Sequence, residues 1–194
     1  MHTRHPTRRT IALIAASLLA LGLSTAQAQT APAKVKLNTS LGDIVIELNA
    51  EKAPKTVENF LQYVKDGHFD GLVFHRVIGN FMIQGGGFNA DMQQKPTRAP
   101  IPLEAGNGLK NERGTIAMAR TNNPNSATSQ FFINVVDNAM LNATGPDNGY
   151  AVFGKVSAGM DVVDKIRAVP TGNRGMHQNV PTTPVTILKA SLEK

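Results

Sequence analysis

Hydrophobic and polar positions alternate along much of this chain, and the alternation predicts its elements. Val35 to Asn38 and Ile44 to Leu48 read as two strands joined around Thr39–Asp43. In the second strand Ile44, Ile46 and Leu48 share one face and Val45 and Glu47 the other, which is the two-residue period of a half-buried strand. The period then changes to that of a helix. Pro54 suits a first helical position, Val57, Phe60, Leu61 and Val64 form one apolar stripe, and Gly67 closes the turn. From Val73 the β-branched and aromatic residues Phe74, Val77 and Ile78 predict a strand. It breaks at Gly79-Asn80, where either residue tolerates positive φ. It resumes with Phe81-Met82-Ile83 and stops at Gly85-Gly86-Gly87.

Residues 88 to 114 lose periodicity and hold Pro96, Pro100, Pro102, Gly106 and Gly108, the mark of a long structured loop. Loops of that length inside a compact domain are usually functional or wrongly assigned. Strands follow at Thr115–Ala119, Gln130–Val135 and Tyr150–Val156, separated by polar loops at 120–129 and 137–149. A short helix is predicted over Asp161–Ile166, a loop over 172–184, and a last strand over Val185–Leu192. About eight short strands with two helices, no repeat and no linker favour a closed all-β barrel or a sandwich. A closed antiparallel barrel leaves no exposed strand edge, and a helix could plug each open end.

The first residues stand apart from this pattern. Arg4, Arg8 and Arg9 precede a 13-residue apolar run from Ile11 to Leu23, and Ala26-Gln27-Ala28 is an A-x-A cleavage site. This predicts a signal peptide over 1–28, a flexible lead over 29–33 and one domain over 34–194. The apolar run is short for a membrane span, which needs about 20 residues. The expected location is the periplasm, with secretion as the second choice. No stable membrane association is expected after cleavage.

Composition narrows the function further. The 194 residues are 41% hydrophobic and 18% charged, and contain no cysteine, so the domain needs no disulfide. Twenty basic against fourteen acidic residues give +6, and removing Arg4, Arg8 and Arg9 leaves +3. That charge is dispersed, without the basic stripe of a nucleic-acid binder. Gly85-Gly86-Gly87 lacks the lysine and spacing of a phosphate loop. It suits a tight bend or a close backbone approach. His68 and His75 lack the i, i+4 spacing of a zinc site, and His75 should face the core, opposite Arg76. No metal and no cofactor are expected. A core strand has little use for Arg76 and Gln84, whereas a pocket that grips a peptide has use for both.

The blocks Phe74-His75-Arg76-Val77-Ile78, Phe81-Met82-Ile83-Gln84-Gly85-Gly86, Met118-Ala119, Ser129-Gln130-Phe131-Phe132-Ile133 and Val152-Phe153-Gly154-Lys155-Val156 resemble those of cyclophilin-type peptidyl-prolyl cis–trans isomerases, in order and spacing. The resemblance covers about Lys34 to Lys194, and the loop after Met118 is similar to the exported bacterial branch. It implies an eight-stranded antiparallel barrel capped by two helices. It also implies a catalytic role for Arg76 and Gln84. Phe81, Met82, Phe132 and Leu141 would line a proline pocket, with Gln130, Ala119 and Arg120 holding the substrate backbone and Met140 and Tyr150 at the rim. The chain departs from the family pattern at Gly79-Asn80 (often Pro-Gly), Gly87 (often Asp), Met140 (often Trp or Phe) and Tyr150 (often His). The Met140 departure argues against strong inhibition by cyclosporin.

Rotation about an X–Pro bond crosses a barrier of about 18–20 kcal/mol without making or breaking a covalent bond. The twisted state loses amide resonance and returns a lone pair to the proline nitrogen. A donor aimed at that nitrogen stabilises the twisted state above both planar ones. Arginine, always charged and carrying several rigid N–H groups, suits that task. The expected partners are proline-containing unfolded or flexible polypeptides, bound by a monomer that assists folding of exported proteins. Two other readings stand beside this one: a proline-peptide binding or chaperone module with little turnover, and a structural or nucleic-acid-binding barrel.

Overall fold

The computed structural model describes residues 1–2 and 32–193. The expected signal peptide and most of the lead lie outside the described residues. Ten strands, two helices and one 3-10 turn follow: β1 (Lys34–Thr39), β2 (Gly42–Leu48), α1 (Pro54–Lys65), β3 (Arg76–Ile78), β4 (Met82–Gly85), β5 (Thr115–Met118), β6 (Phe131–Asn134), the turn Ala139–Leu141, β7 (Val152–Ala158), α2 (Met160–Arg167), β8 (Thr171–Arg174), β9 (His177–Pro181) and β10 (Ile187–Glu193).

Eight strands form one antiparallel sheet in the order β10-β1-β2-β7-β5-β6-β4-β3. The expectation of a closed barrel is corrected here: the sheet curls through 218° and stays open, as a half-barrel ending at β10 and β3. Across the gap, the chain before β3 meets the chain entering β10. Phe74 N donates to Val185 O, Gly71 N to Ile187 O and Ile187 N to Leu72 O, at 2.8–2.9 Å. These are isolated bridges rather than a continued ladder. Phe74 and His75 therefore lie outside β3, which begins only at Arg76.

The concave side is filled by the positions that the two-residue period selects. Val35, Leu37, Ile44, Ile46, Ile83, Ile116, Phe131, Ile133 and Phe153 are all fully buried. Helix α1 closes this side with Phe60, whose ring lies 5.1–5.7 Å from those of Phe69, Phe131 and Phe153. The predicted stripe of α1 needs one correction. Tyr63 joins the buried face, its hydroxyl accepting from Arg98 N at 2.8 Å, while Leu61 is half-buried against the core. Ala53 gives α1 no side-chain cap. Glu104 does so from the long loop, accepting from Lys55 N (3.1 Å), Thr56 N (2.8 Å) and Thr56 Oγ1 (2.7 Å). A carboxylate there satisfies free amides and faces the positive end of the helix dipole.

The loop expected over 172–184 is in fact largely the hairpin β8–β9. It shows no alternation because every residue of β8 is exposed. Among the described residues, no helix is long and apolar enough to cross a membrane.

Candidate active site

The convex face of the same strands carries a second, smaller apolar cluster. Met82, Ala117, Phe132 and Val152 are its buried members, with Ile78, Phe81, Leu109, Ala119, Leu141 and Tyr150 packed against them. Strand register explains how they meet. Arg76 pairs with Gln84, Gln84 with Phe132, Phe132 with Ala117, and Ala117 with Val152. Paired residues on neighbouring strands point to the same side. One row across five strands therefore runs from a cation, through an amide, into an apolar floor. Met82 lies two residues from Gln84 on the same side, which puts it in this floor while Ile83 faces the main core.

The polar end of the row is a relay. Arg76 Nη1 donates to Gln84 Oε1 at 3.3 Å, and Gln84 Nε2 donates to Gln130 Oε1 at 2.9 Å. The three glycines make room for it by close approach. A Cβ on Gly86 would lie 2.7 Å from Ser129 O, and one on Gly87 would lie 2.6–2.8 Å from the Gln130 side chain. Gly86 also takes φ +85°.

The Gly79-Asn80 break works differently from the expectation, since neither residue takes positive φ. A Cβ on Gly79 would lie 2.8 Å from Arg167 O, at the end of α2, and Arg167 Nη1 donates to Gly79 O at 3.1 Å. The turn needs glycine for space. It closes through Phe81 N to Ile78 O at 2.9 Å.

The rim is tied down by asparagines that carry no periodic signal. Asn138 Nδ2 donates to Phe81 O (2.8 Å) and to Asn134 Oδ1 (2.7 Å), and Asn134 Nδ2 reaches Asn111 Oδ1 (3.2 Å) and Thr115 Oγ1 (3.0 Å). Asn111 Nδ2 then bonds Leu141 O at 3.1 Å. Phe81 and the 3-10 turn that carries Leu141 are thus joined through buried amides. Tyr150 stands edge-on to Phe132 at 5.6 Å, and its N–H bonds Leu141 O. Arg120 lies over the Tyr150 ring at 4.8 Å and donates from Nε to Gly149 O.

Of the residues singled out by sequence, Phe81, Met82, Ala119, Phe132, Leu141 and Tyr150 come together in the cluster, while Arg76, Gln84 and Gln130 form the relay beside it. Met140 stands apart at 77% exposed. The Ala119 N–H already donates to Gln130 O at 3.0 Å and is not free for a substrate. Ala117, Val152, Ile78 and Leu109 were missed. The first two sit at alternating strand positions and could have been found by extending the outward face across neighbouring strands.

His75 is buried as expected, 5% exposed, against Phe88 with ring centroids 4.7 Å apart. Burial, with His177 and Arg76 nearby, pushes it down to about 4. Among the described residues, no group of three His, Cys, Asp or Glu side chains could hold a metal ion.

Residues 34–192 match the family model described as cyclophilin type peptidyl-prolyl cis-trans isomerase/CLD. The chain belongs to this family. A peptidyl-prolyl cis-trans isomerase of Streptomyces antibioticus is 63% identical over 161 residues, covering 81% of this chain and 97% of that one. Peptidyl-prolyl cis-trans isomerase A of Dickeya dadantii is 52% identical over 187 residues, covering 96% and 98%. A crystal structure of a cyclophilin-type isomerase from Cryptosporidium parvum, in the presence of the dipeptide Ala-Pro, has a TM-score of 0.70 at 26% identity, covering 83% of this chain and 99% of that one. The cyclophilin described here is therefore a peptidyl-prolyl cis–trans isomerase.

Proposed function

We propose that isomerisation takes place on the convex face, with Arg76 as the catalytic donor and the Met82–Phe132 cluster as the proline seat. The observation that carries this reading is the register row, which sets a guanidinium and a glutamine relay at the edge of an apolar floor. The proline ring would rest on Phe81, Met82, Phe132 and Leu141. Arg76, held by Gln84, would aim a free N–H at the proline nitrogen as it pyramidalises. Gln84 and Gln130 would hold the carbonyl side, helped by main-chain groups near Ala119 and Arg120. Tyr150 would form the rim, and Met140 would touch only the flanks of a longer chain. Contact with a floor of buried side chains removes water from the donor and strengthens its bond.

A 10⁵-fold acceleration needs about 7 kcal/mol. One hydrogen bond from a charged donor supplies about 1.5–3 kcal/mol of this, and orientation with desolvation supplies the rest. The dipeptide present with the Cryptosporidium relative supports a proline-containing ligand. The same reading takes the half-barrel as functionally closed by the bonds between 71–74 and 185–187, and the protein as a monomer.

The basic, apolar and A-x-A segments at the start support export and a role in folding exported chains in the periplasm. Fractionation with N-terminal sequencing tests this: a mature chain beginning at Gln29 supports it, and a full-length cytoplasmic chain refutes it. For the site, a protease-coupled assay on an X-Pro peptide compares wild type with Arg76→Ala. A fall of at least about tenfold in kcat/KM is expected, and an unchanged rate removes Arg76 from the mechanism.

A further inference from the structure

A cavity of about 300 Å³ has Arg76 in its wall and none of the residues of the proposed proline seat. Its wall combines His75 and Arg76 at the start of β3, Phe88 after β4, and Met176, His177 and Asn179 of the β8–β9 hairpin. Phe88 is sandwiched between two imidazoles, 4.7 Å from His75 and 5.1 Å from His177 by ring centroid. Met176, at the hairpin turn, is 97% exposed and reaches over open solvent. His75 Nδ1 is buried and has no hydrogen-bond partner among the described residues. Arg174 fastens the hairpin by donating to Ala90 O, with Asp91 4.0 Å away.

We infer that this cavity is a second substrate subsite, taking an aromatic side chain of the client close in sequence to the isomerised proline. The inference rests on the proposed placement of the proline over the Met82–Phe132 cluster. Arg76 belongs both to the catalytic row and to the cavity wall, so a chain with its proline nitrogen at Arg76 must pass the cavity mouth. Each further extended residue advances the client by about 3.3 Å, which puts the cavity within reach of a near neighbour of the proline.

The chemistry of the wall selects the occupant. Three flat rings offer edge-to-face packing, a thioether on an unbranched arm packs well against aromatic edges, and a guanidinium favours a ring face. A volume at the bottom of the range for ligand pockets suits one side chain rather than a cofactor.

The test uses the full chain and peptides carrying Tyr, Phe or Ala at each of the two positions on either side of proline. In the wild type, Tyr or Phe at one of those positions should raise kcat/KM about three- to tenfold over Ala. Met176→Ala with His177→Ala should bring that ratio to about one while leaving the rate on the all-Ala peptide unchanged. The unchanged all-Ala rate also shows that the variant is folded. If the double variant loses that rate, Met176→Ala alone, at a solvent-exposed position, carries the comparison. A ratio of one at every position in the wild type, or a ratio that survives the substitutions, overturns the inference. Full activity in Arg76→Ala on the all-Ala peptide would instead overturn the reading beneath it.

Discussion

Gly87→Ala separates activity from stability in a way few glycine substitutions do. The φ of Gly87 lies outside the left-handed region, so the backbone accepts alanine without strain. The obstacle is the Gln130 side chain: the new methyl would sit 2.6 Å from Cγ, 2.7 Å from Cδ and 2.8 Å from Nε2. Gln130 has to swing aside, and its 2.9 Å bond from Gln84 breaks. A neutral hydrogen bond is worth about 0.5–1.5 kcal/mol, so kcat/KM should fall about two- to tenfold. Stability should change by no more than about 1 kcal/mol, because the restriction of the unfolded chain by alanine, about 0.4–1 kcal/mol, offsets much of the lost bond. A protease-coupled assay and urea denaturation read the two effects on one sample. In a double-mutant cycle with Gln130→Ala, the activity losses should not add, since both changes remove one bond. Full activity in Gly87→Ala, or additive losses in the cycle, would refute the relay as a working part of the site.

Acid should destabilise the protein from pH 6.5 downwards. His75 titrates at about 4 in the folded chain and near 6.5 unfolded. The unfolded state therefore takes up the proton first, so this stability is complete above about pH 6.5 and is lost as pH falls. The loss reaches about 3 kcal/mol by pH 4. Urea midpoints at pH 7.5 and 4.5 check it, and His75→Phe should flatten the difference. His68, pushed down by burial and by Lys95, adds in the same direction. Asn138→Ala strips the Phe81 carbonyl and Asn134 of a buried donor. It should cost about 1–3 kcal/mol in urea denaturation and raise KM more than it lowers kcat, because the proline seat shifts while Arg76 stays. Glu104→Ala removes the cap of α1 and should cost about 0.5–2 kcal/mol, with kcat/KM on a short peptide unchanged.

Those parts of the fold that follow one strong period were legible in the sequence. Helix α1 begins at Pro54 as its stripe requires, and the inward faces of β1 and β2 follow the alternation. Hairpin β8–β9 was not legible, because every residue of β8 is exposed and β9 buries only Val180 and Pro181 at its end, too few to mark a two-residue period. The open gap between β10 and β3 was equally hidden, since strand count and alternation do not tell a closed barrel from one bridged only by backbone bonds at 71–74 and 185–187. In the site, Arg76 and Gln84 drew notice because they are polar within an apolar run. The asparagine network drew none: Asn111 and Asn138 look like ordinary loop residues, and Asn134 like a polar position near a strand end, until the fold buries them. Gly79 was misread for a related reason. Its neighbour is a carbonyl 88 residues away, and local preference has no knowledge of that.

Strand β1 has β2 on one side and β10 on the other, pairing Lys34 with Glu47 and with Glu193. The first strand of the domain therefore waits for the last. In any process that delivers the chain from its N-terminus, β1 and β2 emerge as a hairpin with both outer edges bare; the edge of β2 waits for β7, and that of β1 stays bare until about 140 more residues have followed. The apolar face of β1, Val35 and Leu37, belongs to a core that is complete only when Ile187 and Ala190 of β10 arrive. A nascent copy of this isomerase is thus, for most of its own delivery, a sticky, unfinished polypeptide of the kind that other folding helpers attend to. Loss of even the final strand should leave it permanently in that condition.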